Sequence, residues 1–375
     1  MSDTMVRVGI TGQSGFVGTH LFNYLNLQQN VICIPFKNIF FDDIETLRGF
    51  VKQCDVVIHL AALNRHIDEN VLYQTNVDLV QKLIVAMESE GVNPHVIFSS
   101  STQEERNNIY GNSKKQGRSL LIDWAKNNDA KFTGLLIPNV FGPFGNPYYN
   151  SVVATFCYQL THNEIPKIDI DGTLNLIFVA ELVAVIWNVI NDKIEHISYN
   201  VSATATKKVT EILAILLRFK RDYYDNGIFP ELNDSFELNC FNTFRSYIDH
   251  ETFFPYYLSQ HIDDRGSFVE TIKLHQGGQV SFSTTKPEIT RGNHFHTRKI
   301  ERFAVIKGKA RIDLRRIGTD KILSFELDGA KPSYVDMPIW YTHNITNIGT
   351  EELYTIFWIN EFFNPADADT FFVEV

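Results

Sequence analysis

From Val6 to about Ile137, short apolar runs alternate with longer amphipathic segments, the rhythm of strands and helices in a parallel α/β sheet. The pattern predicts strands at Val6–Thr11, Val31–Pro35, Val56–Ala61 and His95–Ser99. Helices are expected over Val17–Asn26 and Asn76–Ser89, with a further one after Tyr110. Beyond about His250 the period changes. Arg302–Lys307, Lys309–Leu314, Ser333–Met337 and Glu352–Phe357 are short alternating or aromatic-rich runs, punctuated by Gly308, Gly318, Gly329 and Gly349. They predict an antiparallel barrel or sandwich. No internal repeat or low-complexity tract interrupts the chain, so the change of period sets the boundary within Asn239–Phe254. A cut near residue 250 gives domains of residues 1–250 and 251–375.

A length of 375 residues agrees with two or three domains. With 44% hydrophobic and 21% charged residues the chain can fill more than one core, which excludes disordered and disulfide-scaffold classes. Lys plus Arg number 34 against 44 Asp plus Glu, a net charge of −10. That balance argues against nucleic acid or anionic membrane as partner and leaves room for a local basic pocket that holds an anionic metabolite. Cys33, Cys54, Cys157 and Cys240 form no C-x-x-C pair, which suits a reduced, cytoplasmic compartment. No basic and apolar leader precedes Val6. The longest apolar stretch, Leu174–Ile190, is broken by Asn175, Glu181 and Asn188, so no transmembrane helix is expected.

Thr11-Gly12-Gln13-Ser14-Gly15-Phe16-Val17-Gly18 follows a predicted strand and opens a predicted helix. Gly12 would permit the tight turn, Gly15 the approach of a pyrophosphate, and Gly18 the packing of helix on strand, with the helix N-terminus facing the phosphates. Phe16, Val17, Ala61 and Ala62 complete this candidate cofactor site. The second strand ends in Lys37, with no carboxylate until Asp42, and a cation there suits the 2′-phosphate of NADPH better than the bare ribose of NADH. A solvated surface lysine is the other reading. Asp55-Val56-Val57-Ile58-His59-Leu60-Ala61-Ala62, Phe98-Ser99-Ser100-Ser101 and Tyr110-Gly111-Asn112-Ser113-Lys114 complete a set that resembles the extended short-chain dehydrogenase/reductase family, a Rossmann-like α/β fold. Tyr110 and Lys114 are four apart on one helix face, so an ammonium can lower the phenol pKa for proton exchange with a substrate oxygen, which Ser101 would orient. Lys114 would also contact the cofactor. Pro138-Asn139-Val140-Phe141-Gly142-Pro143 resembles the segment before the family's sugar-nucleotide site, which makes Asn139 a substrate-binding candidate. Only eight residues separate Ser101 from Tyr110, fewer than in the family it resembles, which implies a trimmed loop. No Asp-Glu pair follows Ser101, which favours redox chemistry at C4 over dehydration.

His294, His296, Glu301 and Gly308 fit H-x-H-x4-E-x6-G, and Pro338, His343 and Asn347 fit P-x4-H-x3-N. These resemble the two motifs of the cupins, all-β jelly-roll barrels. Residues two apart on a strand share a face, so His294 and His296 can point inward together, with Glu301 and His343 completing a site for one divalent ion. Ligand type alone leaves Zn, Fe, Mn and Ni open, and the resemblance favours zinc. The small residue of the second motif is replaced by Trp340, and a metal-free, structural barrel is the alternative. Asp264-Arg265-Gly266-Ser267-Phe268 and Arg291-Gly292-Asn293-His294 also resemble the cupin-class nucleotide-sugar epimerases, in which the His is a base and the Arg binds substrate. That implies roles for His294 and Arg291, with His296 an alternative base and Tyr334, Tyr341 and Tyr354 candidate acids.

A reductase joined to a cupin epimerase resembles, over almost the whole chain, the bifunctional capsule-biosynthesis enzymes of the CapF family. The resemblance implies that the cupin inverts C3 of a UDP-4-keto-6-deoxy-HexNAc and that the first domain reduces C4 with NADPH. The product would be UDP-2-acetamido-2,6-dideoxy-L-talose, toward UDP-N-acetyl-L-fucosamine, and the enzyme would be a homodimer. Two alternatives remain on the sequence: an NADP-sensing or ligand-binding protein whose cupin serves dimerisation, and a reductase whose cupin is only structural.

Overall fold

The computed structural model describes residues 5–106, 108–264, 266–269, 271–275, 277–362 and 364–375. Arg265 lies outside them, and of Gly266, Ser267 and Phe268 only the backbone is described. Contacts divide the chain into two compact units. One runs to Thr155 and includes Asp171–Val209; the other comprises Phe156–Ile170 and Thr210–Val375.

In the first unit, strands β1 (Val6–Thr11), β2 (Val31–Ile34), β3 (Val56–His59), β4 (His95–Ser101) and β5 (Phe132–Ile137) form one parallel sheet. Their order is β2-β1-β3-β4-β5, with His196–Asn200 outside β5. Helices α1 (Phe16–Leu25), α2 (Ile44–Val51), α3 (Glu69–Glu90) and α4 (Ile109–Asn127) supply the crossovers. Both faces are covered, which explains the continuous apolar runs. Val57, Val96 and Phe98 pack with residues of α2, α3 and α4, while Val8, Ile10, Ile58 and Leu135 pack with α1 and with helix Val179–Asn191. The four expected strands are present with ends shifted by up to two residues. Strand β5, helix α2 and the first turns of α3 were not anticipated. Helix α3 starts at its Asp68 cap, which accepts from the Asn70 and Val71 amides, ahead of the apolar periodicity. The apolar stretch Leu174–Ile190 is a strand, Thr173–Phe178, running into helix Val179–Asn191. Among the described residues, no helix is long and apolar enough to cross a membrane.

The second unit holds two five-stranded sheets whose long strands pair antiparallel. In one the order is Tyr256–Tyr257, Ser333–Met337, Glu301–Lys307, Leu353–Ile359 and Gln279–Thr285. In the other it is Ile322–Asp328, Lys309–Arg316, Tyr341–Asn347, Thr290–Phe295 and Phe371–Phe372. Ala304, Val305, Ile312, Leu314, Val335 and Ile345 form its core. The change of period near 250 marks where the strands begin, but the contacts group residues 210–250 with them. The reason is an aromatic seam. Phe219, Tyr223, Phe229 and Phe241 pack together, and the Phe229 ring lies 4.2 Å from that of Trp358. At its centre Arg302 donates twice to Asp336, at 2.7 and 2.9 Å, and once to the Gly227 carbonyl at 3.0 Å. Tyr223 donates to the same carboxylate at 2.6 Å.

Arg302 and Asp336 are 1% and 0% exposed, so neither charge can fall back on water. Asp336→Ala should therefore cost about 3–5 kcal/mol, read as a lowered denaturant midpoint, and an added Arg302→Met should recover much of the loss. A single variant as stable as the parent would refute this account.

Candidate active site and candidate metal centre

The turn after β1 is set by backbone contact. Gly12 has φ +72°, and a Cβ there would meet the Ala61 nitrogen at 2.8 Å. A Cβ on Gly18 would lie 2.2 Å from the Gly12 carbonyl oxygen, so only glycine lets α1 start this close to the turn. Gly15 is the residue before α1, and its amide donates to the Gly12 carbonyl at 2.9 Å. Because β1 lies between β2 and β3, the turn opens at the point where the strand order reverses, the usual ligand crevice of such sheets. Thr11 ties the two sides together. Its hydroxyl pairs with His59 Nδ1 at 2.8 Å and accepts from the Ala61 amide at 3.4 Å. Burial, reinforced by the Lys114 charge, pushes the His59 pKa down to about 3, so this imidazole is neutral.

A cavity of about 600 Å³ opens here. Its walls include Gly15, Phe16 and Val17 from the turn, Ala62 beyond β3, Ser101 at the end of β4, Tyr110 and Lys114 from α4, and Asn139. Gly12, Gly18 and Ala61 shape the turn without lining the cavity, and Lys37 is exposed outside it. The first unit thus brings Ser101, Tyr110, Lys114 and Asn139 to one cavity. Asn108 caps α4 by accepting from the Gly111 amide at 2.7 Å, which places Tyr110 on the first turn and Lys114 one turn later. Burial raises the Tyr110 pKa to about 12, helped by neighbouring Tyr149, so the phenol holds its proton. Burial lowers the Lys114 pKa to about 8, while Glu104 acts in the opposite sense. The Ser101 hydroxyl accepts from the Gln103 amide at 3.1 Å and caps a short 3₁₀ turn, Thr102–Glu105, which occupies the trimmed loop.

Three supporting residues escaped the sequence reading. Asn76 accepts from the Leu63 amide at 2.7 Å and donates to the Leu63 carbonyl at 2.9 Å and to Ser113 at 3.0 Å, fixing the loop after β3 to α4. Its signal was legible: a polar residue on the buried face between Leu72 and Val80. Glu104 receives the Ser100 hydroxyl and pairs with Arg118 at 2.5 Å, and nothing local in the sequence marks that pair.

In the second unit His294, His296, Glu301 and His343 come together, with potential ligand atoms all within 4.8 Å of one another. Glu301 Oε2 lies 3.0 Å from His296 Nε2, 3.2 Å from His343 Nε2 and 3.9 Å from His294 Nε2. His296, Glu301 and His343 are buried, and these Nε2 and Oε2 atoms have no hydrogen-bond partner of good geometry. Burial pushes Glu301 up, yet the three imidazoles together hold it well below the usual carboxylate range. His343 Nδ1 donates to the Tyr341 carbonyl at 3.2 Å and His296 Nδ1 to that of Asp369 at 2.5 Å, leaving both Nε2 atoms turned toward the carboxylate. Converging orphan donor atoms of nitrogen and oxygen type fit a divalent metal ion. Trp340 has φ +62°, a left-handed conformation that favours glycine, and its ring stacks on Phe295 at 5.4 Å. Arg291 is exposed and donates to the Thr284 carbonyl at 3.5 Å. Tyr334 lies under the Arg302 guanidinium at 3.5 Å. Arg302 follows Glu301 on the strand, so Tyr334 is on the opposite sheet face from the cluster. Tyr354 shares that away face through Ile356 and Trp358, whereas Tyr341 shares the face of His343.

A parallel sheet with a glycine turn at its switch point and a Tyr/Lys pair beside it defines a class. The NAD dependent epimerase/dehydratase family model matches residues 8–202, more than half of the chain, and the polysaccharide biosynthesis C-terminal domain model matches residues 261–371. The chain belongs to the NAD dependent epimerase/dehydratase family and is an enzyme. It is 31% identical to the UDP-2-acetamido-2,6-beta-L-arabino-hexul-4-ose reductase of Pseudomonas aeruginosa over 370 residues, 98% of each chain. The capsular polysaccharide assembling protein CapF of Staphylococcus aureus is 34% identical to it, covering 99% of this chain and 100% of that one at a TM-score of 0.63. These likenesses bear out the resemblance to the CapF family. RMD of Pseudomonas aeruginosa, solved in complex with NADPH, shares the fold at 21% identity over 58% of this chain and 83% of that one, with a TM-score of 0.53.

Proposed function

We propose that the chain is a bifunctional nucleotide-sugar enzyme. The strand-rich unit, read as a cupin, inverts C3 of a UDP-4-keto-6-deoxy-HexNAc, and the first unit then reduces the C4 ketone with NADPH. The product is UDP-2-acetamido-2,6-dideoxy-L-talose, toward UDP-N-acetyl-L-fucosamine for a surface polysaccharide. The observation that carries this reading is the presence, in one chain, of a cavity walled by Ser101, Tyr110 and Lys114 and of a separate cluster of three imidazoles and a carboxylate. Full-length similarity to a reductase of such a sugar supports the substrate class.

Gly15, Phe16 and Val17 beside the Gly12 turn would hold NADPH, which would supply a hydride for C4. Tyr110, kept protonated by burial, gives its proton to the C4 oxygen, and Ser101 orients that oxygen. Lys114 in its charged form stabilises the phenolate that remains. Asn139, which lines the same cavity, holds the sugar nucleotide. In the second unit His294, His296, Glu301 and His343 would hold a divalent ion, zinc by resemblance, which supplies Lewis acidity toward a carbonyl oxygen. His294 is the only one of the four that is not buried and is farthest from Glu301, which suits it to take the C3 proton, with Arg291 on the same strand as the substrate contact. Epimerisation must come first, because the ketone is what acidifies C3–H. The exposed Val280 and Phe282 on the edge strand Gln279–Thr285 suit a homodimer.

The test is to incubate the protein with NADPH and the 4-keto sugar nucleotide, following NADPH absorbance and solvent deuterium entry at C3 separately. Tyr110→Phe should lower reduction by about 10²–10⁴-fold and leave deuterium entry at C3 intact. Loss of both in a folded variant would mean that one site does both jobs. The free enzyme's kcat/KM for reduction should fall as pH rises through about 8, where Lys114 loses its proton. A flat profile to well above that pH would remove the charged-lysine role. NADPH should bind more tightly than NADH, and Lys37→Asp should reduce the preference. Equal affinities in the parent would overturn the reading of Lys37.

A further inference from the structure

We propose that Asp369 is a positioning residue for His296, an inference that rests on the reading of the four-residue cluster as a metal site. His294 and His343 sit in paired strands and Glu301 begins one, so ladder hydrogen bonds fix their backbones. His296 lies one residue beyond the end of its strand, Thr290–Phe295, where its carbonyl accepts from the Trp340 amide at 2.8 Å and its ring takes its support from elsewhere.

Asp369 gives that support twice. Its backbone carbonyl takes the His296 Nδ1 proton at 2.5 Å. A carbonyl only accepts, so Nδ1 carries a proton, which leaves Nε2, 3.0 Å from Glu301, as the atom turned toward the cluster. Its carboxylate gathers the residues that follow His296. One oxygen accepts from the Thr297 amide at 3.0 Å and hydroxyl at 2.6 Å, and the other from the Arg298 and Lys299 amides, each at 3.0 Å. Four donors on one buried carboxylate make a stiff, charge-assisted clamp. Lys299 reinforces it, its Nζ donating to the Ala368 carbonyl at 2.6 Å, whereas the Arg298 side chain pairs with Asp367 at 2.8 Å and makes no bond to the Asp369 carboxylate. Asp369 itself is held at φ +42°, a conformation a non-glycine residue adopts only when its surroundings demand it. The device thus fixes both the tautomer and the direction of one ligand.

Imidazole ¹⁵N NMR on the metal-free protein and chelator-competed zinc titration test this together, with Asp369→Ala, the milder Asp369→Asn and the control Arg298→Ala. The parent should show His296 in the Nδ1–H form. Asp369→Ala should mix the tautomers and weaken zinc binding about 10–100-fold, with Asp369→Asn between. Arg298→Ala, which removes only outer ion pairs, should leave both readouts unchanged. An Nε2–H tautomer in the parent, parent-like values in the Asp369 variants, or equal losses in Arg298→Ala would overturn the proposal. Should the parent take up no zinc while Asp369→Ala still scrambles the His296 tautomer, the metal reading falls and the positioning role stands.

Discussion

Everything in the first site hangs on the contact between the start of α1 and the turn after β1. With 2.2 Å between a notional Gly18 Cβ and the Gly12 oxygen, any side chain would push the helix off the turn. The helix N-terminus would then no longer face the crevice. Thr11 and His59 add the second half of the constraint by joining the ends of β1 and β3 under that turn. A sheet buried on both faces has no room for polar side chains except where strands stop. Thr11, His59 and Ser101 all stand at such ends, and chemistry collects there because that edge is where polarity is tolerated.

The second site solves the opposite problem, placing polar atoms inside an apolar shell. Two of its imidazoles and its carboxylate are buried, and each would be costly alone. They are tolerated because Nδ1 atoms are satisfied outward by carbonyls, which concentrates the unsatisfied atoms at one point. The same unit buries Arg302 with Asp336 on the other face of the Glu301 strand, where the guanidinium and the Tyr223 hydroxyl both donate to the carboxylate. Two charged groups on adjacent residues therefore have different fates. One is closed and structural; the other is left open toward a ligand.

The chemistry-bearing residues were largely legible in the linear chain, because their spacing encodes their geometry. A G-x-x-G-x-x-G run after an apolar strand, Tyr and Lys four apart, and His two apart on a strand each follow from a local period, and local periods are what sequence displays. The identity of Trp340 at a position shaped for a small residue shows the limit of that logic. Its left-handed backbone survives the substitution because the ring stacks on Phe295, a contact between residues 45 positions apart in the sequence.

What the sequence determined by itself was the alternation of apolar runs, hence a parallel α/β unit followed by an antiparallel one, and the residue types at each strand end. What only the tertiary structure decided was which distant groups meet. The change of period near 250 leaves residues 210–250 in the first domain, yet their aromatic residues pack against Trp358 and Arg302 of the strand unit. Glu104 and Asp369 look like ordinary surface polars in the chain, and each becomes a fixed support only when folding brings its partners within hydrogen-bond reach. The physical reason is the same in each case: a period reports which way a side chain points, whereas burial and pairing depend on what long-range contacts place opposite it.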